Sequence, residues 1–493
     1  MTILLSDLVV FLYFLSAGIL MIYGLNCYVL IFLYRRGKPG AEKRRQAVLE
    51  RFGDLMSRSD LPVVTTQIAV YNELNVAERV MRAACRMRYP AGLHEVQVLD
   101  DSTDETRRRV DAVAEELRGK GCDVRVIHRA VRTGFKAGAL AHGMKQARGE
   151  LVAVFDADFV PPEDYLLRSV PFFLAGPKLG LVQARWGHLN RCRSLITRSQ
   201  SIGIDGHFMV EQAARNWNGL YMNFNGTAGL WRRSAIEDGG GWHWDTLTED
   251  MDLSYRVQFA GWETVFLPDL VVPAEIPEDV SAFKSQQFRW AKGSIQTAIK
   301  LLPRLIRQPV PRFQKLQAFF HMTHYLVHPM MLSLSILALP VLCVLNIGIG
   351  PVIFGGIAIA LTLSMMAPSA LYTVSQRAAY ADWKGRMLCL PVLVMMGVGI
   401  AVSNSQAVFE AFIGRESPFI RTPKRGDREV RRYRVGLPWL SVLEILLGLY
   451  CAESLGYYLA AQKYFIGPFL AIYAAGFLFV GLLTLAHSLG LEK

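Results

Sequence analysis

The chain has 493 residues, of which 52% are hydrophobic and only 19% are charged, and its net charge is +12. This length predicts more than one structural unit, and the apolar excess favours a membrane protein over a soluble one. A basic chain also suggests nucleic-acid binding, but here the basic clusters flank the apolar segments. That placement indicates charge facing anionic membrane lipids and argues against nucleic acid as a partner. The seven cysteines are scattered and show no metal-ligand spacing.

An apolar run at residues 8–34 is long enough to cross a bilayer, and its basic residues follow it rather than precede it. The run therefore predicts an uncleaved anchor, with the residues after it in the cytosol, and not a signal peptide. Four further apolar runs predict two membrane hairpins, at residues 326–347 with 352–374 and at residues 437–460 with 466–489.

Residues 387–413 are also apolar, but they end in polar residues and lead into the most basic stretch of the chain. If this segment crossed the membrane, the basic stretch would face the outside, against the positive-inside tendency. We therefore predict an amphipathic helix at the cytoplasmic interface. The expected units are an N-terminal anchor (1–36), a cytosolic domain (37–316), a hairpin (317–375), an interfacial helix with a basic loop (376–435) and a C-terminal hairpin (436–493).

Strand-like and helix-like segments alternate over residues 63–155. This alternation predicts a parallel sheet with crossover helices, in which ligands bind beyond the carboxyl ends of the strands. Acidic residues follow three of the predicted strands: Glu73 the first, Asp100 and Asp101 the second, and Asp156 and Asp158 the fourth. Each alone is also consistent with an ordinary turn or helix cap. Three strands that deliver carboxylates to one edge favour a ligand site.

The carboxylates of Asp156 and Asp158, separated by one small residue, suit a hard divalent cation such as Mg²⁺ or Mn²⁺. Such a cation would neutralise a diphosphate and make a nucleoside diphosphate a competent leaving group. Lys136 would add positive charge near the diphosphate, or it is a lysine at an ordinary helix start.

Two later motifs complete the set. Asp250, directly after Glu249, is a candidate base that would take the proton of an attacking hydroxyl group, or it is the N-cap of the next helix. In the run from Gln286 to Trp290, Arg289 suits a bidentate grip on phosphate and Trp290 offers a flat face to a sugar ring. Without context, this run is an amphipathic helix with an ordinary arginine.

In order, these motifs resemble the D, DxD, TED and QxxRW signature of the processive family 2 glycosyltransferases, which include cellulose, chitin and hyaluronan synthases. The phrases QVLDDSTDET, VFDADFVP, FNGTAG and QQFRW are most similar to the plant cellulose-synthase-like A and C enzymes and their bacterial relatives. Those enzymes make β-1,4-linked mannan, glucomannan or glucan backbones. The resemblance covers most of residues 60–300.

The resemblance implies a GT-A-type α/β domain inserted in an all-α transmembrane bundle, and an inverting mechanism. It implies that Asp250 is the base, with Glu249 beside it in the catalytic motif, and that Asp158 binds the Mg²⁺ or Mn²⁺ ion. The residues that would bind the nucleotide-sugar are Tyr71, Glu73, Asp100, Asp101, Lys136, Asp156, Asp158, Gln286 and Arg289. Those that would lie near the acceptor sugar are Trp290, Phe224, Asn225 and Gly226.

A later segment with Phe419, Thr422 and Lys424 resembles the FxVTxK gating loop of cellulose synthases, but Arg421 stands where valine is expected. This departure leaves open whether the loop closes over the nucleotide in the same way. A plain basic juxtamembrane loop is the alternative.

The expected function is metal-dependent transfer of a hexose from UDP-glucose or GDP-mannose to the non-reducing end of a growing β-linked polysaccharide. The polymer would be exported through the membrane helices, with envelope export subunits as candidate partners, in a bacterial inner membrane or a Golgi-type membrane. Two alternatives stay open: single transfer to a lipid such as ceramide or diacylglycerol, and a channel or transporter whose domain only senses nucleotide. No residue decides between uracil and guanine.

Overall fold

The computed structural model describes residues 2–344, 351–416 and 439–489. In these ranges seven strands form one sheet: β1 (Val64–Val70), β2 (His94–Asp100), β3 (Val124–His128), β4 (Leu151–Asp156), β5 (Leu179–His188), β6 (Gly229–Arg232) and β7 (Glu263–Ala274). Their order across the sheet is β3-β2-β1-β4-β6-β5-β7. Strand β6 runs antiparallel to both of its neighbours, whereas the other pairs are parallel.

The α-helices alternate with the strands and then continue alone. The helices up to the end of the sheet domain (residues 64–307) are α1 (Thr2–Phe52), α2 (Ala77–Cys85), α3 (Thr106–Gly119), α4 (Phe135–Met144), α5 (Tyr165–Ala175), α6 (Leu195–Gly206), α7 (Ala213–Trp217), α8 (Arg233–Asp238), α9 (Glu249–Phe259) and α10 (Val280–Arg307). Those after it are α11 (Arg312–Thr323), α12 (Val327–Val344), α13 (Pro351–Ala379), α14 (Trp383–Arg386), α15 (Leu390–Gly399), α16 (Ala401–Phe412), α17 (Trp439–Ala460) and α18 (Gly467–Leu489).

Strands β1 and β4, at the centre of the sheet, are buried at nearly every position. Continuous burial of this kind is typical of parallel strands that helices cover on both faces. The register pairs Val70 with Asp100 and Ala69 with Asp156, so β1, β2 and β4 end side by side. The acidic residues at and after these strand ends therefore meet at one edge of the sheet, as the sequence pattern predicts.

Helix α1 contributes directly to one of the two apolar clusters that cover the sheet. This cluster joins Val152 and Val154 of β4 to Leu30 and Tyr34 of α1 and to Leu371 of α13. The helix continues to Phe52, well past the predicted span at residues 8–34, because its later part packs against the sheet domain. The first helix is therefore a membrane candidate at its start and a structural part of the sheet domain further on.

Five helical segments of the described residues are long and apolar enough to cross a membrane: Ser6–Phe52, Arg312–Val344, Ala358–Ala379, Trp439–Ala460 and Tyr464–Leu489. They correspond to the five apolar runs that the sequence predicts. A further pair, Trp383–Gly399 and Ala401–Phe412, is bent by 43° and gives a sixth candidate if it is counted as one span. This pair covers the segment predicted to lie at the interface, and its interfacial placement stays a prediction.

Candidate active site

A lysine–carboxylate pair lies at the carboxyl edge of the sheet. Lys136, the second residue of α4, forms an ion pair with Asp156 at the end of β4, and its ammonium donates to the carbonyl oxygen of Gly226 at 2.7 Å. Burial opposes the charged ammonium, but attraction to Asp156, Glu249 and Asp250 raises the pKa of Lys136 overall. Lys136 thus lies at a helix start, which is one of the two interpretations of the sequence. It also joins α4 to the end of β4 and to Gly226.

Two of the residues predicted to bind the nucleotide-sugar, Asp101 and Tyr71, contact arginines that the motifs do not include. Arg129 Nε donates to Asp101 Oδ1 at 2.9 Å, and the Arg132 guanidinium lies 3.4 Å from the centroid of the Tyr71 ring. Glu73 lies half-buried between β1 and α2. Arg129 directly follows β3, so the strand-end rule that identifies the acidic residues would have found it if extended to basic ones.

Two of the residues predicted to lie at the site also have structural partners, and their binding roles stay predictions. Asp100 Oδ1 accepts from the Ser102 amide at 3.0 Å, and its buried carboxylate also lies 3.2 Å from His128 Nδ1, so it forms the turn after β2. Phe224 is fully buried, and its ring centroid lies 5.4 Å from that of Trp231. The adjacent residues Asp101 and Asn225 contact Arg129 and His207, respectively.

The segment before β6, predicted to contact the acceptor, approaches the predicted base. Gly226 has a φ of +80°, and a Cβ atom added there would lie 3.0 Å from Asp250 Oδ2. Glycine permits both this backbone conformation and this close approach. Asn225 Oδ1 lies 2.8 Å from His207 Nε2, in the π-helical turn His207–Gln212. The Thr227 hydroxyl accepts from the last amide of β4 at 2.9 Å and so fixes the segment to the strand.

Glu249 and Asp250 are the first two residues of α9. Asp250 is not the N-cap, because Thr248 occupies that position, and Asp250 Oδ1 instead accepts from the amide of Met251 at 2.8 Å. Burial and then the neighbouring charge of Glu249 raise the pKa of Asp250 to about 8. Burial also raises the pKa of Glu249, although attraction to Lys136 opposes the shift. A carboxyl group that titrates near neutral pH suits a general base.

Gln286, Arg289 and Trp290 lie in the first half of the long helix α10, as their spacing predicts. Burial lowers the pKa of Arg289, although attraction to Glu249 and Asp156 opposes the shift, so Arg289 is electrostatically part of the site. The Trp290 ring centroid lies 6.5 Å from that of Trp186 at the end of β5. Trp186 is a further aromatic residue in contact range of Trp290 that is not among the predicted site residues.

Gly293 brings α10 into close contact with the segment that starts α9. A Cβ atom on Gly293 would lie 2.8 Å from the backbone nitrogen of Thr248. One turn further along α10, Gln296 Oε1 accepts from the Leu247 amide at 3.0 Å, and the Thr297 hydroxyl lies 3.0 Å from that of Thr248. Helix α10 therefore sets the position at which α9 begins, and with it the position of the two catalytic-motif carboxylates.

Replacing Gly293 with alanine is expected to lower the transferase rate by about 10- to 100-fold, because displacing the start of α9 misplaces Asp250 by a fraction of an ångström or more. The measurement is the initial rate of sugar incorporation at saturating donor, together with the melting temperature. Gly456→Ala is the matched control, because a Cβ atom at that helical glycine meets nothing within 4 Å. Equal rates for the two variants would contradict the close packing.

The DxD segment fits a divalent cation, and a second acidic cluster does not. Asp158 is buried just after β4, and the two DxD carboxylates together with diphosphate oxygens would form an all-oxygen donor set of the kind that Mg²⁺ and Mn²⁺ prefer. His243, Asp245 and Asp252 have ligand atoms within 4.8 Å of one another. Lys300 lies 2.8 Å from Asp245 and 3.0 Å from Asp252, so the ammonium group of this lysine already neutralises negative charge in the cluster.

The predicted gating-loop residues Phe419, Thr422 and Lys424 lie outside the described ranges, and their role stays a prediction.

Residues 62–293 match the family described as "Glycosyltransferase like family 2". Over 448 residues the chain is 33% identical to "Probable glucomannan 4-beta-mannosyltransferase 11" of Arabidopsis thaliana, an alignment that covers 87% of this chain and 98% of that relative. It is 40% identical over 312 residues to "Probable glucomannan 4-beta-mannosyltransferase 10" of the same plant, covering 62% of this chain and 56% of the relative. Apart from the 448-residue alignment, the chain spans about half the length of the curated relatives that it matches.

Among solved structures, the chain is similar to the mannosyltransferase PcManGT from Pyrobaculum calidifontis, whose structure was solved in complex with GDP-Man and Mn²⁺. The two share 19% sequence identity, the match covers 78% of this chain and all of that one (100%), and the TM-score is 0.49.

A mixed sheet with carboxylates at its strand ends, joined to a bundle of apolar helices, defines a GT-A-type glycosyltransferase attached to helices that are long and apolar enough to cross a membrane. The chain belongs to glycosyltransferase family 2, and its curated relatives are glucomannan 4-beta-mannosyltransferases of the cellulose-synthase-like group. The predicted family, fold class and enzyme class, a hexosyltransferase, are confirmed.

Proposed function

We propose that this protein transfers mannose from GDP-mannose to the non-reducing end of a β-1,4-linked mannan or glucomannan chain. The observation that carries the proposal is the position of Asp250: its Oδ2 lies against Gly226 of the predicted acceptor segment, and Lys136 bridges that segment to Asp156. The printed names of the relatives support mannose as the sugar. UDP-glucose, the other expected donor, is the comparison in the test below.

In this mechanism an acceptor hydroxyl oxygen forms a bond to the anomeric carbon while the bond from that carbon to the diphosphate breaks. Asp250 takes the hydroxyl proton during the attack, and the configuration at the anomeric carbon inverts. Lys136 and Arg289 stabilise the negative charge that develops on the departing diphosphate. Asp158, with Asp156 beside it, would hold a Mg²⁺ or Mn²⁺ ion, which supplies further positive charge to the diphosphate when bound.

The chain connection between site and bundle supports a proposed path for the product. Helix α10 carries the predicted acceptor residue Trp290 and leads directly into the segment Arg312–Val344, which starts with α11 and is long and apolar enough to cross a membrane. The proposed arrangement therefore keeps the sheet domain in the cytosol of a bacterial cell, or on the cytosolic side of a Golgi-type membrane, and exports the polymer between the helices. Envelope export subunits are the proposed partners for that step.

The test is incorporation of label from GDP-mannose and, separately, from UDP-glucose into membranes that contain the full chain, with Mg²⁺ or Mn²⁺ and with a chelator. The expected result is an insoluble product that is made from GDP-mannose and degraded by a β-1,4-mannanase. A chelator should abolish its synthesis. A lipid-soluble product one sugar long would indicate glycolipid synthesis and contradict polymer synthesis. Absence of incorporation from both donors would overturn the proposed transfer.

The raised pKa of Asp250, about 8, predicts that the transfer rate increases between about pH 6 and about pH 9, because the base must be deprotonated to accept a proton. Replacing Glu249 with glutamine removes the neighbouring negative charge, so the pKa of Asp250 falls and the midpoint moves to lower pH. The measurement is kcat/KM against pH, with the exposed Glu237→Gln as control. A flat profile, or one that Glu249→Gln leaves in place, would contradict the assignment.

A further inference from the structure

Two buried ion pairs connect α10 to the helical bundle on either side of the segment with Gln286, Arg289 and Trp290. Lys284 Nζ donates to both carboxylate oxygens of Glu444, at 2.6 and 2.8 Å. Glu444 is fully buried and lies in α17, one of the candidate membrane spans. An ionisable residue in such a span is costly unless it is paired, and it commonly has a function.

The second pair joins α10 to α16. Lys292 Nζ lies 2.9 Å from Glu410 Oε2, and the lysine side chain is fully buried. Glu410 Oε1 also accepts from Gln406, one turn earlier on the same helix, at 2.9 Å. Around this pair, Ala291 and Ile295 of α10 belong to one apolar cluster with residues of α16, so the ion pair lies within a packed helix–helix interface.

The spacing of these residues describes how α10 is fixed. Lys284 and Lys292 are eight residues apart, which is about 12 Å along the helix axis and about 80° around it. Gly293, which contacts the start of α9, lies about 180° around the helix from Lys284 and about 100° from Lys292. Gln296, which contacts the same segment, is four residues after Lys292 and lies on the same side as that lysine. Helix α10 is thus bound to the bundle at two points and positions the start of α9 through Gly293 and Gln296.

We propose that Lys284–Glu444 and Lys292–Glu410 are positioning pairs, which fix the axial position and rotation of α10 so that the bundle helices α16 and α17 set how Arg289 meets the diphosphate of the donor. This inference rests on the proposed function, because it assigns Arg289 to the donor diphosphate. It makes the affinity for a nucleoside diphosphate depend on contacts in the bundle.

Physical chemistry favours positioning over simple stabilisation for these pairs. Removing two charges from water costs about as much as their attraction returns, so a buried ion pair is weak support for stability compared with apolar residues of the same size. What such a pair does supply is registry, because a helix that slides or rotates leaves a charge unpaired in an apolar interface. Two pairs that differ both in height along α10 and in direction around it define the axial position and the rotation.

The test uses the full chain in lipid nanodiscs and measures the dissociation constants of GDP and of UDP with Mn²⁺, the donor KM and kcat, and the melting temperature. The variants are Glu444→Gln and Glu410→Gln, and the exchanges Lys284→Glu with Glu444→Lys and Lys292→Glu with Glu410→Lys. Glu95→Gln is the matched control, because Glu95 is a fully buried carboxylate that accepts from Arg148 Nε at 2.7 Å in strand β2, away from the bundle.

The expected result is an increase of about tenfold in the nucleoside diphosphate dissociation constant and in the donor KM for each single variant, a typical size for coupling between sites. The exchanges should recover most of the affinity, and Glu95→Gln should lower the melting temperature without changing KM. Single variants that melt earlier but bind nucleotide normally would overturn the inference. A wild-type protein that binds GDP or UDP but transfers no sugar would overturn the proposed function alone, since the binding comparison still tests the pairs; binding of neither nucleotide would overturn both.

Discussion

Replacing Asp250 with asparagine is expected to lower the rate of sugar transfer by at least about a thousandfold, in the upper range for loss of a positioned general base. Asparagine has nearly the same shape and can still accept from the Met251 amide, which bonds Asp250 Oδ1 at 2.8 Å. The loss would therefore come from the missing proton acceptor and not from a displaced helix. The measurement is the single-turnover rate at saturating donor and acceptor.

The controls for this prediction separate chemistry from binding. Asp250→Asn should bind GDP with nearly the affinity of the wild-type protein, because the donor residues on the sheet edge are unchanged. Asp245→Asn removes an exposed carboxylate that pairs with Lys300 at 2.8 Å, and it should leave the rate within about twofold, since exposed ion pairs contribute little. An Asp250→Asn variant that keeps more than about a tenth of the rate would exclude Asp250 as the base.

Replacing Lys136 with methionine is expected to lower kcat/KM by about 100- to 1000-fold, the effect of removing one preorganised charge from a transition state. The loss has two physical causes, because the ammonium both contributes positive charge near the diphosphate and holds the Gly226 carbonyl at 2.7 Å. Methionine fills a similar volume without charge, so the fold should survive. The measurement is kcat/KM for the donor, with the melting temperature as the check on folding.

The same variant has a second, independent consequence for the pH profile. Attraction to Lys136 lowers the pKa of Asp250 and so opposes the upward shifts that burial and Glu249 cause. Without the ammonium the pKa of Asp250 rises further, and the midpoint of the rate profile should move to higher pH, opposite to the shift expected for Glu249→Gln. Lys120→Met, which removes an exposed pair with Glu116, is the control. An unchanged midpoint would show that Lys136 does not act on Asp250.

Much of the fold and part of the site can be predicted from the sequence because they depend on short-range pattern. Buried strands ending in carboxylates identify the sheet edge, since parallel strands present their carboxyl ends together. Glu73, Asp101 and Asp156 could be placed there from strand order alone. The same rule applies to Arg129, which directly follows β3. The acidic motifs do not include this arginine.

Side-chain direction and long-range pairing could not be predicted from the sequence. Asp100 and Phe224 each have structural partners in the fold, and spacing alone does not say which of two adjacent residues turns toward a ligand. The pairing of Lys284 with Glu444 spans 160 positions in the chain. No local pattern marks either residue as the partner of the other, because the contact exists only after the bundle packs against α10.

The packing of α1 across the sheet limits how this protein can be divided. Leu30 and Tyr34 of that helix and Leu371 of α13 complete an apolar cluster that starts on β4. A fragment that begins at residue 37 and stops at residue 316 would leave this cluster open to water and lose about 1.5–3 kcal/mol of burial free energy for each large apolar side chain removed. The sheet domain and α1, a candidate membrane span, thus share one core, so neither is a complete folding unit without the other.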